Sequence, residues 1–245
     1  MTLDLANYEK HAKQAIKAFW GNRSAASKLQ KKRGTLDQGS RGSVTAGKNM
    51  DGFLVLLRDL VVANGLPKES IHVKKRVVTL PGYFRPTKQW DFIVVHDHRL
   101  VAAVELKSQV GSYGNNFNNR SEEAIGSAHD FWTAYREGAF GKCPPPFLGW
   151  IMLVADAPKA NKPVKSPEPH FPVDPAFADA SYAQRYHVLC QRLIEERLYN
   201  AACLMLSPET AKSSGKYREV DTLTSLRQFC VRFAGCVAEG AVRSD

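Results

Sequence analysis

The chain has 245 residues, 44% of them apolar, 10% aromatic and 24% charged, the ordinary balance of a soluble globular protein with a sizeable core. Its 34 basic against 24 acidic side chains leave a formal charge of +10, which favours a polyanionic partner because each Lys or Arg laid on a phosphate releases counterions. No run of about 18 apolar residues is present to span a bilayer, and the start MTLDLANYEK lacks the basic and apolar regions of a secretory signal. Five cysteines without a C-x-x-C pair read as reduced structural thiols, not as a disulfide frame or a zinc cluster.

Residues 3–20, LDLANYEKHAKQAIKAFW, carry apolar positions at helical spacing and predict an amphipathic helix. From about 21 to 47 the chain reads as a basic, hydroxyl-rich loop holding Lys31, Lys32, Arg33 and Arg41, suited to phosphate contacts or to simple solvation. A helix is expected from about Asn49 to Ala63, ended by Asn64 and Gly65. The β-branched IHVKKRVVT reads as a strand and LPGYFRPTKQ as a turn-rich segment. WDFIVV and LVAAVELK then read as an antiparallel pair joined at His96 to Arg99.

GSYGNNFNNR reads as a polar loop leading into a helix opened by Ser121, with acids in its first turn. FLGWIMLVA is a buried strand, and a proline-rich surface excursion covers about 157–175. A helix over about Tyr182–Leu198, the strand AACLML and a helix from about Leu223 to Glu239 complete the chain. No repeat or linker divides it, so residues 1–245 are read as one α/β domain, a mixed central sheet flanked by helices.

Alternation along a strand points Glu105 and Lys107 to one side, and Asp91 can meet them across the hairpin. Two neighbouring carboxylates repel unless a divalent cation sits between them, and hard oxygens are what Mg²⁺ prefers. A lysine two residues beyond the second acid can meet the negative charge that develops as water attacks a phosphodiester. An E-x-K triplet also occurs on ordinary solvated strands; here it follows the apolar VAAV and answers an acid at the start of the preceding strand.

Asp91, a strand, a turn and Glu105-Leu106-Lys107 resemble the PD-(D/E)XK nuclease motif, with Trp90 where that family usually has proline. SRGSVTAGKNMDGF, WDFIVV and VELKSQVGSYGNNFNNRSEEAIGSAHDFWTAYREGAFG together resemble the type II restriction endonucleases of the XhoI type, over most of the chain to about Asp156. The resemblance implies a restriction-endonuclease-like core and a homodimer of the bacterial cytoplasm that cuts double-stranded DNA with Mg²⁺ and leaves 5′-phosphate ends. It also implies the palindrome CTCGAG, cut after the first C, and a cognate methyltransferase acting on the same site.

By that motif Asp91 and Glu105 are the metal ligands and Lys107 the catalytic lysine. Asp51 is the candidate for an additional acid or, equally, a charge favoured by the start of its own helix. Asn115, Asn116, Asn118, Asn119 and Arg120 lie just past the catalytic strand, where Asn and Arg would meet bases or phosphates; a capped turn is the plainer account. Gln109 reads as a neighbour of the site or as a strand-end glutamine. Two other functions fit the same composition: a repair nuclease reading DNA structure, and a basic DNA-binding protein without catalysis.

Overall fold

A computed structural model describes residues 2–32 and 50–242. Its centre is a five-stranded mixed sheet of order β1-β4-β5-β6-β7, formed by Ile71–His72 (β1), Phe92–His96 (β4), Arg99–Gln109 (β5), Phe147–Ala155 (β6) and Ala201–Ser207 (β7). β4 is antiparallel to β1 and β5, whereas β5, β6 and β7 are parallel. Thr79–Pro81 (β2) and Thr87–Gln89 (β3) form a separate antiparallel ribbon. The expected α/β class with a helix-flanked mixed sheet is what the structure has.

β6 and β7 are buried along their whole length, as parallel strands covered on both faces must be. The open edge of β7 is covered by the following segment, where Leu206 bridges Arg218 and Leu204 N–H donates to the Thr224 carbonyl. On one face lies α7 (Leu226–Val242), whose Phe229 and Phe233 meet Phe147 and whose Phe233 also meets Phe92. Its buried Leu226, Phe229, Cys230, Phe233, Ala234 and Val237 recur at helical spacing. Behind it α1 (Tyr8–Lys32) and α2 (Asp51–Ala63) pack closely: a Cβ on Gly52 would stand 2.5 Å from Ala15 Cα. The opposite face carries α3 (Tyr113–Arg136) and α5 (Tyr182–Glu195), the latter opened by a Ser181–Gln184 capping box. The short α4 (Pro158–Asn161) opens the proline-rich stretch, and α6 (Ala211–Ser214) follows β7. None of the described helices is long and apolar enough to cross a membrane, and all five cysteines are free.

Three segments differ from the sequence reading. The first helix continues to Lys32, through residues assigned to a basic loop, because Ala, Lys and Gln are good helix formers. IHVKKRVVT is not one strand: the chain turns at Lys74, whose carbonyl accepts from Val77 N–H, because three consecutive cations have no buried face to alternate onto. α3 begins at Tyr113, eight residues before the expected Ser121. Tyr113 and Phe117 fall one turn apart and anchor that segment, with Tyr113 OH on the Ala155 carbonyl and Phe117 against Tyr186. His187 of α5 pairs with Asp221, Nε2 to Oδ2 at 2.8 Å.

Asp221 ties α5 to the turn before α7, accepting also from Gln191 Nε2 and from the Thr224 hydroxyl and N–H. Burial works to raise its pKa, but the Thr224 bonds and the His187 ring outweigh it and hold the carboxyl at about 2. A carboxyl depressed by folding contributes stability that is complete above its ordinary 3.8 and lost as pH falls toward about 2. Asp221→Asn should therefore flatten that acid limb and cost about 1 kcal/mol at neutral pH, the full shift being discounted for solvent screening. Denaturant midpoints across the acid range measure it, and an acid limb identical to that of the parent would refute the assignment.

Candidate active site

β5 is the central strand, and Glu105 and Lys107 rise from the face that α3 covers, beside Trp150 and Met152 of β6. Continuing the β4–β5 register one pair beyond Phe92 and Val104 sets Asp91 opposite Glu105. There the chain leaves the sheet, and Trp90 N–H donates to the Val78 carbonyl at 2.8 Å. Asp91 Oδ2 accepts the N–H of Leu106 at 2.8 Å, replacing the ladder partner that β4 no longer supplies. Trp90 is buried against Phe131, and a proline in its place would forfeit the bond to Val78; the departure from the usual motif is part of how the ribbon joins the site.

Glu105 is 3% exposed, and its Oε1 accepts from Lys107 Nζ at 2.7 Å and from Lys88 Nζ at 3.0 Å. Lys107 Nζ also donates to Glu123 Oε1 on α3, and Arg120 Nη1 donates to Glu123 Oε2 at 2.7 Å. Three anions, Asp91, Glu105 and Glu123, thus face three cations, Lys88, Lys107 and Arg120. Lys88 lies 4.7 Å over the Trp90 ring and Lys107 lies 5.9 Å over that of Trp150.

Burial works to lower the Lys107 pKa, but the carboxylates of Glu105 and Glu123 outweigh it and raise it, so Lys107 is an ammonium. Burial raises Glu123, and its bonds to Lys107 and Arg120 reverse that and leave it lowered. Asp91 keeps part of its surface in solvent, yet the protein crowding its carboxyl raises its pKa; the Leu106 N–H opposes this and Glu105 adds to it. Two acids side by side, one pushed toward neutrality, form an arrangement that a divalent cation would relieve.

Among the described residues no group of three or more His, Cys, Asp or Glu is gathered as a complete ligand set. The two acids nonetheless fit a hard cation that keeps most of its water and borrows substrate oxygens. Glu105 Oε2 is buried with no hydrogen-bond partner, an orphan oxygen of the kind a cation would satisfy.

Asp91, Glu105 and Lys107 are therefore brought together as expected. Asp51 is the exposed first residue of α2 and takes no part in the hydrogen bonds and ion pairs described for this cluster. Gln109 is buried, and its amide donates to the Gly111 carbonyl. Asn115, Asn116, Asn118 and Asn119 occupy the first turns of α3, not a loop; Asn116 bonds back to the Ser112 carbonyl and the other three are exposed. Arg120 joins the cluster through Glu123. Lys31 and Lys32 end α1, and Arg33 and Arg41 lie outside the described residues.

Lys88, Glu123 and Trp150 were not anticipated. Glu123 was visible only as an acid near a helix start, and Lys88 only as one cation in a turn-rich stretch. The turn from β5 into α3 uses two left-handed residues, Gly111 (φ 71°) and Ser112 (φ 46°); the latter is an uncommon conformation for a side-chain-bearing residue and stands directly after the cluster.

The family model described as restriction endonuclease XhoI matches residues 29–219. The type II restriction enzyme AbrI of Azospirillum brasilense is 59% identical over 172 residues, 70% of this chain and 77% of that protein. The type II restriction enzyme XhoI of Xanthomonas vasicola is 52% identical over 196 residues, 79% of this chain and 78% of its own length. The type II restriction enzyme BstVI of Geobacillus stearothermophilus is 48% identical over 189 residues, 75% of this chain and 84% of its own. No solved structure matches. With a match across most of its length and the acid–acid–lysine cluster inside the matched region, this chain belongs to the XhoI family of type II restriction endonucleases.

Proposed function

We propose that this protein is a Mg²⁺-dependent endonuclease that hydrolyses both strands of duplex DNA within the palindrome CTCGAG, after the first C. The observation that carries the reading is the cluster toward the end of β5, built around the buried Glu105. There Asp91 is docked on the Leu106 N–H, and Glu105 presents an unpartnered oxygen beside the Lys107 ammonium. A binding protein without catalysis gives no reason to bury Glu105 with two lysines upon it.

Asp91 and Glu105 would hold the metal through their carboxylate oxygens. Mg²⁺, when bound, would supply Lewis acidity toward the phosphate and the attacking water. Lys107 meets the charge that develops on the phosphate oxygens, and its contacts with Glu123 and Trp150 fix where its ammonium stands. Arg33 and Arg41, with Lys31 and Lys32 and the asparagines of α3, are the candidates for DNA contact. A palindromic site calls for a two-fold protein, so the active form is a homodimer with one site per subunit. The CTCGAG site rests on the resemblance to the XhoI type and on the XhoI relative; in a restriction–modification system it would be shielded by a cognate methyltransferase.

Digestion of a sequenced plasmid with Mg²⁺, followed by mapping of the ends, tests this. Discrete fragments ending at CTCGAG, absent with EDTA, are expected. Ends elsewhere reject the site, cuts confined to junctions or flaps favour a repair nuclease, and binding without product under every metal tried removes catalysis.

A further inference from the structure

The β2–β3 ribbon carries a feature that hydrolysis does not use. At its tip Tyr83 and Phe84 are 53% and 65% exposed, with their rings edge to face at 4.9 Å. Single exposed aromatic residues are unremarkable on a protein surface; these two are held. Asp130 of α3, 4% exposed, accepts the N–H groups of Tyr83 and Phe84 and the Arg85 Nε, each at 2.8 Å. The Phe84 ring stacks on His129 at 5.4 Å. The turn is so close to α3 that a Cβ on Gly82 would meet Asp130 Oδ2 at 2.7 Å and the Arg85 carbonyl oxygen at 2.6 Å. A buried carboxylate is thus devoted to fixing the backbone beneath two rings that cover no core.

The same ribbon reaches the catalytic cluster at its other end through Lys88, which bonds Glu105. Both ends are fastened to α3's surroundings: Glu123 meets Lys107, and Asp130 lies seven positions further along the helix. At 1.5 Å per residue the tip's anchor stands about 10 Å along α3 from the lysine's partner. That separation lies within the footprint of a duplex whose scissile phosphate sits at the cluster. The turn leading into the ribbon carries the exposed Lys74, Lys75 and Arg76, at the ribbon's base on the side of Lys88 and not at the rings, so the base is cationic and the tip is aromatic.

We infer that Tyr83 and Phe84 form a preorganised DNA-contacting tip, which seats its two rings on the bases or sugars of the bound duplex beside the cleaved phosphate. The inference rests on the nuclease reading. Rings take up apolar surface of the groove or of a base step, as apolar wedges do in other DNA-binding proteins, and they neutralise no phosphate. Their loss should weaken binding without changing its salt dependence. Prior fixing by Asp130 removes the entropy cost of ordering the tip on association.

The test uses the full chain with Lys107→Ala as a non-cutting parent, and a short duplex spanning the mapped cleavage site, in Mg²⁺. Adding Tyr83→Ala and Phe84→Ala should weaken binding about ten- to a hundredfold, with an unchanged slope of log affinity against log salt. The swap Tyr83→Phe with Phe84→Tyr should bind like the parent. Equal affinity of the alanine variant overturns the inference. A reduced salt slope overturns it too, since the loss would then lie in phosphate contacts. Dissociation of the dimer on gel filtration, with loss of binding following it, would make the tip a subunit contact instead. If the parent itself binds no duplex, the nuclease reading and the inference fall together; if the parent binds and the alanine variant binds equally, only the inference falls.

Discussion

Lys107→Ala is expected to lower the single-turnover cleavage rate by about 10²–10³-fold or more while leaving DNA affinity within a few-fold of the parent. The ammonium sits 2.7 Å from Glu105 and over Trp150, so under the proposed reading it would meet the reacting phosphate at a fixed place, half-withdrawn from solvent, where a charge counts for more than in water. One phosphate contact among many contributes little to affinity. The fold should tolerate the loss, because Glu105 keeps Lys88 and Glu123 keeps Arg120. Quenched-flow cleavage, a gel-shift titration and a thermal melt give the three readouts. Cleavage within tenfold of the parent would remove Lys107 from the chemistry, and a collapsed melting temperature would assign it to the fold.

The second large effect is expected at the two acids. Asp91→Asn and Glu105→Gln keep the shape of each side chain and remove its charge. Each should forfeit about 4 kcal/mol of transition-state stabilisation, roughly a thousandfold in rate. Calorimetric titration should show Mg²⁺ binding lost in both. Asp91 has a second duty that the choice of substitution separates. An asparagine oxygen still accepts the Leu106 N–H, so Asp91→Asn should melt near the parent. Asp91→Ala leaves that strand donor unpaired and should cost about 1–3 kcal/mol besides. If the asparagine variant binds Mg²⁺ and cuts as the parent does, Asp91 is a strand cap and nothing more. A neutral Glu105 also leaves Lys88 and Lys107 beside a group without charge, so its melt need not match that of Asp91→Asn.

Much of this site is written along one stretch of chain, and that part was legible. Alternation places Glu105 and Lys107 on one face whatever the rest of the fold does, and a short hairpin returns Asp91 to them. The buried runs FLGWIMLVA and AACLML announce covered strands by composition alone. The misread segments are those in which local composition and tertiary context disagree. GSYGNNFNNR has the residues of a loop and is helical because Tyr113 and Phe117 are anchored by neighbours from β6 and α5. IHVKKRVVT has the residues of a strand and turns at its cations.

The sequence by itself therefore determined the chemical groups of the cluster: two carboxylates and a lysine at a spacing that strand geometry makes adjacent. Only the tertiary structure decided the partners that tune it. Lys88 arrives on a separate ribbon, Glu123 on the helix after the strand, and Trp150 on the parallel neighbour, from positions between 16 and 43 residues away from Lys107 or Glu105. No local period links such positions; they meet because Trp90 ties the ribbon's base to Val78 just before the chain enters β4, Asp91 caps the Leu106 N–H there, and α3 folds back over β5. The ionic balance of the site, three acids against three cations, is a property of that packing.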